Sequence, residues 1–328
     1  MRLFQALPIL IGLLACHGRA GGPPLLREVA DVPLPGAASR FDYASLDAGS
    51  GLLYLNHMGA GEVVIFDTRA RRVVAVLKGF PRCTGILAVP SLGRIFVSAA
   101  GEGKAVAVDA KSRAVLARME AGRFPDGIAY ESGAHLLFVS DESGRAVTVL
   151  DPVALREVSR IPIGGEAGNT QADEVDHLVY TNDQTHGDLV VIDPVKLQIT
   201  ARIPLGLKGN HGLCLDAPRH LAFIASEDEA RLVAMDLRTR KVTASFKVGK
   251  GPDVLAFDPG TRRLFVASES GVLSVFHETD AGLVKEGGLF AGPDAHVAAV
   301  DPSTHLLYLP LKDLEGRPVL RIMAVARP

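Results

Sequence analysis

Val63-Val64-Ile65-Phe66-Asp67 is a strand-like run that closes on an Asp. It returns as Val106-Ala107-Val108-Asp109, Val147-Thr148-Val149-Leu150-Asp151, Val190-Val191-Ile192-Asp193 and Val233-Ala234-Met235-Asp236, at spacings of 42, 42, 42 and 43 residues. A sixth copy, Leu273-Ser274-Val275-Phe276, lacks the Asp. Each run is followed by a turn and a second β-rich stretch, such as Val73 to Leu77 or Val242 to Phe246. Each is preceded by two more, such as Gly127-Ile128-Ala129-Tyr130 and Leu136-Leu137-Phe138-Val139-Ser140. Four short strands in each 42-residue unit, with turn chemistry between them, is the pattern of a propeller blade.

Working outward, the innermost strands are expected to begin near residues 42, 84, 126, 168, 211, 253 and 296, which makes seven blades. The last copy runs to Pro328 without a fourth strand of its own, while Glu28 to Leu34 is a spare strand near the start. The expected fold is all-β: a seven-bladed β-propeller of four-stranded antiparallel blades, closed by the N-terminal strand joining the last blade so that no sheet edge stays open. The 34 Gly and 20 Pro are spread along the whole chain, which suits the turns of such a repeat and excludes a helical protein. With 48% hydrophobic and 22% charged residues the chain can bury a large core, and intrinsic disorder is excluded.

The first residues read as an address. Leu3 to Ala15 is an apolar run of 13 residues, the length of a signal h-region and too short to span a bilayer. Leu13-Leu14-Ala15-Cys16 reads as a lipobox, with Cys16 the lipidated mature N-terminus; ordinary cleavage after Gly18-Arg19-Ala20 is the alternative. The expected division is therefore a signal peptide over residues 1–15, a linker over 16–24 and one propeller domain over 25–328. The protein is expected to be exported, periplasmic or anchored to a membrane through its lipid alone, and monomeric. Besides Cys16 only Cys83 and Cys214 are present, on blades far apart, so no disulfide is expected.

Runs such as Leu137-Phe138-Val139-Ser140, Val190-Val191-Ile192-Asp193-Pro194 and Arg202-Ile203-Pro204-Leu205-Gly206 resemble the YVTN repeat of YncE-like proteins. The resemblance covers residues 25 to 328 and implies an exported seven-bladed propeller. DNA binding, which some relatives show, is what it implies for a nucleic-acid partner. A formal charge of -2, from 35 basic and 37 acidic residues, with no basic cluster on one face, argues against that partner. The Trp-Asp dipeptide of WD repeats, quinoprotein docking Trp residues, Cys-x-x-Cys-His, a nucleophile elbow, a Walker loop and His-Glu-x-x-His are all absent.

Residues that depart from the repeat carry the functional signal. His135, His177, His220 and His305 share one hairpin position and read as structural. His57, at the end of a second strand, His186, in the following loop of blade 4, and His211 and His296, at the start of inner strands, are expected to open onto one mouth of the ring. The innermost position reads Asp42, Thr84, Asp126, Gly168/Asn169, His211, Asp253 and His296 around the blades. His211, Asp253, His296 and Asp42 thus alternate across the ring closure as a candidate shell for one divalent ion, with His57 or His186 as acid or base. Arg40, Arg82, Asp126, Asp141, Asn169, Asn182, Asp183 and Asp294 are the candidate ligand-binding groups around them. An Asp, Asn or Thr there also serves by capping free backbone N–H groups, which accounts for Asp126, Asp253 and Thr84 without any ligand.

Three functions fit these residues. One is a binding or scaffold propeller whose polar mouth holds a small polar ligand or a partner's loop. A second is a metal-dependent hydrolase or lyase, similar in plan to lactonase-type propellers, in which the ion lowers the pKa of a bound water. DNA binding is the third.

Overall fold

The computed structural model describes residues 25–326. The expected signal segment 1–15, Cys16 and the linker 16–24 lie outside the described residues. Seven antiparallel sheets of four strands are formed, six of them wound from inside to outside in chain order and the seventh completed on its outside by the N-terminal strand. Blades 1 to 6 occupy residues 44–78, 83–120, 125–162, 167–204, 210–247 and 252–290, and blade 7 occupies 299–325 plus the N-terminal strand. Cys83 and Cys214 are free, on blades 2 and 5. Among the described residues no helix is long and apolar enough to cross a membrane.

The repeated Asp is explained by the turn that follows it. Asp67 accepts the backbone N–H groups of Arg69 and Ala70 at 2.9 and 2.8 Å, and Asp151 those of Val153 and Ala154 at 2.8 Å. The carboxylate thereby caps the hairpin between the third and fourth strands. The hairpin histidines His135, His177, His220 and His305 have φ between 52 and 59°, in the left-handed turn position taken by Gly51 and Gly93 in blades 1 and 2. The structural reading of these four holds.

Packing follows the same period. Tyr54, Phe96, Phe138, Tyr180, Phe223, Phe265 and Tyr308 occupy one position in the second strand of all seven blades, each no more than 3% exposed. They feed separate apolar clusters between neighbouring blades. Leu189 and Tyr180 of blade 4 meet Leu213 and Ile224 of blade 5, and Tyr308 and Leu320 of blade 7 meet Leu53 and Phe66 of blade 1. Burying side chains of this size contributes about 1.5–3 kcal/mol each, so every blade interface, the one at the closure included, is a core of its own.

The closure is the expected one. Leu26–Pro33 pairs antiparallel with Arg317–Val325 on the outside of blade 7, and Arg321 grips Asp31 through two hydrogen bonds of 2.9 and 2.6 Å. Where the structure differs is at the inner strands on either side of this seam. They are Ala44–Asp47 and Ala299–Asp301, beginning two and three residues later than the repeat places them. In blades 2 to 6 the inner strand instead starts on schedule with a bulge, as between Pro125 and Ile128 or Asn210 and Gly212. The bulge leaves Thr84, Asp126, Asn169, His211 and Asp253 unpaired with their own blade. Their segments bond to the neighbouring blade instead: Ser98 Oγ donates to the Asp126 carbonyl at 2.6 Å, and Asn182 Nδ2 to that of His211 at 2.9 Å.

Candidate functional site

These bulges surround a cavity of about 240 Å³ at one mouth of the channel. Asp42, Asp126, His211 and Asp253 line it from the inner ring, with Arg40 from the entering loop. Glu142, Glu227 and Glu269 line it from above. Tyr43 is its floor. The phenol lines both this cavity and a second one of about 150 Å³ beneath, walled by Ile86, Ile128, Leu213 and Leu255 together with the polar Asn169, Thr170 and Gln171. Its hydroxyl lies 3.2 Å from Asp126 Oδ2 and 3.1 Å from His211 Nε2, and it bonds closely to Asn169 Oδ1.

Asp253 is the hub of the charges. His211 Nε2 is 3.4 Å from its Oδ1, while Arg40 Nη2 and His296 Nε2 are 3.5 and 4.0 Å from Oδ2. Arg40 makes its shorter bond, 2.7 Å, to Glu269. His296 is fixed from behind: Nδ1 donates to the Asp294 carbonyl at 2.9 Å and faces the Asp294 carboxylate at 3.3 Å, which Lys312 holds at 3.1 Å.

The protonation states follow from crowding. Burial works against the imidazolium of His211, but the bond to Asp253 and the fields of Asp253, Glu227 and Asp126 lift its pKa well above the usual histidine range. For His296 burial is likewise outweighed, by Asp294 and Asp253, and its pKa is raised to about 9. Burial, then Asp253 and Asp126, push the Asp42 carboxyl well up; burial also raises Asp126 and Glu227. Burial and the nearby Asp126 carry Glu142 to about 7. Asp253 alone in this group is held down, its burial cost overcome by His211, His296 and Arg40.

The four residues expected as one metal shell do reach the same mouth, as two overlapping groups. One donor atom each of Asp42, Asp253 and His296 lie within 4.8 Å of one another, and so do those of His211, Glu227 and Asp253. Arg40 and Asp126 line the cavity as expected; Asn169 bonds to its floor, and Asp294 backs His296. Arg82 lies on the rim, 5.0 Å over the Phe124 ring.

Five expectations are corrected. His57 does not open onto the mouth: it is fully buried, stacked on Phe41 at 4.2 Å and bonded through Nε2 to Ser39 Oγ at 2.8 Å. The loop before blade 1 folds over it, and Gly36 permits this, since at φ 93° a Cβ there would meet His57 at 3.0 Å. His186 is half exposed and turned to Asp183 at 2.8 Å, away from the cavity. Asp183 is thus committed to His186 and Arg202, and Asp141 likewise accepts the N–H groups of Arg123 and Phe124 and holds Arg160. Asn182 serves the carbonyls of His211 and Gly212. All five side chains secure the loops and bulges that shape the mouth.

Tyr43 and the three glutamates were missed, and the repeat contains their signal. The position after the second strand reads Met58, Ala100, Glu142, Gln184, Glu227 and Glu269, at spacings of 42 or 43. Tyr43 stands where blades 2, 3 and 5 carry Gly85, Gly127 and Gly212. Glycine is required there by close approach, since a Cβ on Gly85 would lie 2.0 Å from the Asp126 carbonyl oxygen. The late start of the inner strand frees blade 1 from that constraint.

No protein-family model matches the chain, and no curated protein matches it. Solved structures match in fold. A chain of the Kuenenia stuttgartiensis hydrazine synthase aligns with TM-score 0.73 at 14% identity, covering 88% of this chain and 96% of that one. A chain of a mitotic checkpoint complex gives 0.78 at 11% identity over 98% and 100%, and the WD40 repeats of RRP9 give 0.79 at 11% identity over 92% and 100%. At these identities the likeness establishes the seven-bladed propeller and nothing about the ligand.

Proposed function

We propose that this is a YncE-like binding propeller that receives a small cationic group in the acidic cup at its mouth. The observation that carries the reading is the composition of the lining: six carboxylates surround about 240 Å³, and Arg40 is the only Lys or Arg among the described residues that line it. Tyr43 makes the cup blind, so a ligand is held at one end of the channel rather than passed through. Charged groups in a site shielded from water interact far more strongly than on a surface, and carboxylates crowded this closely favour a cation. The cation is presented free or on a basic loop of a partner. The mitotic checkpoint chain belongs to a complex, which supports the second form.

Export, the lipid anchor at Cys16 and a monomeric state complete the proposal; loss of membrane association in a Cys16→Ala variant tests the anchor. An acidic mouth repels phosphate, so nucleic acid is not part of it. The reading is tested by calorimetric titration with methylguanidinium, propylammonium and Mn²⁺, with citrate as the anionic control. Binding of at least one cation, weakened about tenfold or more by Glu227→Gln, is expected; binding of citrate alone overturns it.

A metal-dependent hydrolase or lyase is the second reading, favoured by the two Asp/His groups that share Asp253. His211, which lines the cavity, takes the proton-carrying role first expected of His57 and His186. Turnover of a lactone panel that depends on both added metal and His211 tests it.

A further inference from the structure

We propose that Asp42, Asp253 and His296 hold one divalent transition-metal ion, with Zn²⁺ and Mn²⁺ the ions that suit the donors. The proposal rests on the reading of the mouth as a cation site and names the cation. Three chain segments deliver the donors: the loop entering blade 1, the bulge of blade 6 and the loop entering blade 7, which meet at the ring closure. One ligand atom from each falls within 4.8 Å of the others, and all three residues are buried.

The independent observation is an unpartnered ligand atom: His296 is 1% exposed, and its Nε2 makes no hydrogen bond, while Asp253, 3% exposed, has at Oδ1 only the 3.4 Å charge contact with His211. Buried polar atoms without partners are few in folded proteins and call for an explanation. The tautomer of His296 is set by its other nitrogen. A carbonyl oxygen only accepts, so the 2.9 Å contact with the Asp294 carbonyl places the hydrogen on Nδ1. In the neutral ring the lone pair then sits on Nε2, on the side of Asp253. Asp294 and Lys312 behind the ring form the outer support that metal-bound histidines usually have.

One imidazole and two carboxylates suit Zn²⁺, Mn²⁺ or Fe²⁺, and the two negative charges balance a dication. Three protein ligands leave further coordination positions for a small molecule. The neighbouring group is a poorer holder, because His211 Nε2 already meets the Tyr43 hydroxyl at 3.1 Å. Arg40, 3.5 Å from Asp253 Oδ2, opposes a cation there, and its 2.7 Å bond to Glu269 draws its positive charge the other way.

The test uses the whole exported domain, stripped with EDTA and dialysed, then titrated calorimetrically with Zn²⁺ and with Mn²⁺. About one equivalent is expected in the wild type, with His296→Gln and Asp42→Asn each weakening affinity about tenfold or more, and Glu120→Gln, on the exposed outer strand of blade 2, within about threefold of wild type. Co²⁺ should give a visible d–d absorption that His296→Gln abolishes. If a variant fails to fold, the metal-dependent rise in wild-type Tm still decides, because an ion that binds only the folded chain must raise it. Less than about 0.1 equivalent of either ion in the wild type, with no rise in Tm, overturns the proposal. So does unchanged affinity in His296→Gln, and loss confined to Glu227→Gln would move the ion to the His211 group. If the organic cations bind and the metals do not, the metal site fails while the cationic cup stands; if none binds, the cup itself fails.

Discussion

The hydroxyl of Tyr43, from blade 1, lies 3.1 Å from Nε2 of His211, from blade 5, across the axis of the ring. This contact joins opposite walls and divides the channel into an acidic cup and a second chamber below, lined by both polar and aliphatic groups. Tyr43→Phe keeps the ring and removes the donor to Asp126 and Asn169. Leaving buried acceptors unpaired costs about 1–3 kcal/mol, so the unfolding free energy should fall by that amount, seen as a lower urea midpoint at unchanged slope. An unchanged midpoint would show that the hydroxyl network adds no stability.

Glu142 gives the fold a pH signature. In the folded chain burial and Asp126 raise it from 4.5 to about 7, so the native state holds a proton that the unfolded chain releases. The associated stability is present below 4.5 and is lost as pH rises through about 7. Glu142→Gln should therefore lose less stability than wild type across that window in denaturant titrations. Parallel pH curves would contradict this.

His57 should matter for stability and not for binding. Burial lowers its pKa below 6.5, so its contribution is present above 6.5 and fades as pH falls below it through the depressed value. His57→Ala removes the Phe41 stack and the Ser39 bond, at a cost of about 1–3 kcal/mol, while cation affinity stays at the wild-type level. A loss of affinity in a folded variant would return His57 to the site.

A different histidine links blades. His177 of blade 4 meets Glu131 of blade 3 at 2.8 Å, an arrangement repeated by His220 with Asp176 and His305 with Asp258. Glu131 raises the His177 pKa above 6.5, so this contact stabilises below 6.5 and weakens as pH rises through the raised value. An NMR titration should place His177 above 6.5 and return it toward that value in Glu131→Gln.

Removing residues 26–33 should open the ring. The strand Arg317–Val325 would lose its outer partner and present an unpaired edge. Size-exclusion chromatography should then show dimers or larger species; a monomer of wild-type stability would contradict the role given to this closure.

Blade number, strand order and closure were legible because each follows from a 42-residue period that every copy shares. His211 and His296 were legible for the opposite reason, as departures from it, and Asp42 and Asp253 as the Asp that recurs at the same inner position. The failures lie where local loops override the period. His57 sits at a mouth-side position in the repeat, yet residues 36–41 fold across it and take it into the core. Asp141, Asn182 and Asp183 read as ligand groups in the sequence because charge and amide polarity alone do not distinguish a residue that binds a ligand from one that caps a bulge. Tyr43 and Glu227 stand at positions that the repeat marks, but that their side chains reach the axis is set by bulges and a late strand start, which the period does not encode.

Asp253 belongs to both Asp/His groups and lies beside Arg40, so it tests the account most directly. The measurement is the calorimetric affinity of Mn²⁺ and methylguanidinium for wild type and for Asp253→Asn, with folding checked by thermal unfolding. The account predicts binding by the wild type and a loss of about tenfold or more, roughly 1.4 kcal/mol, in the folded variant. Equal affinity in the two proteins would contradict it.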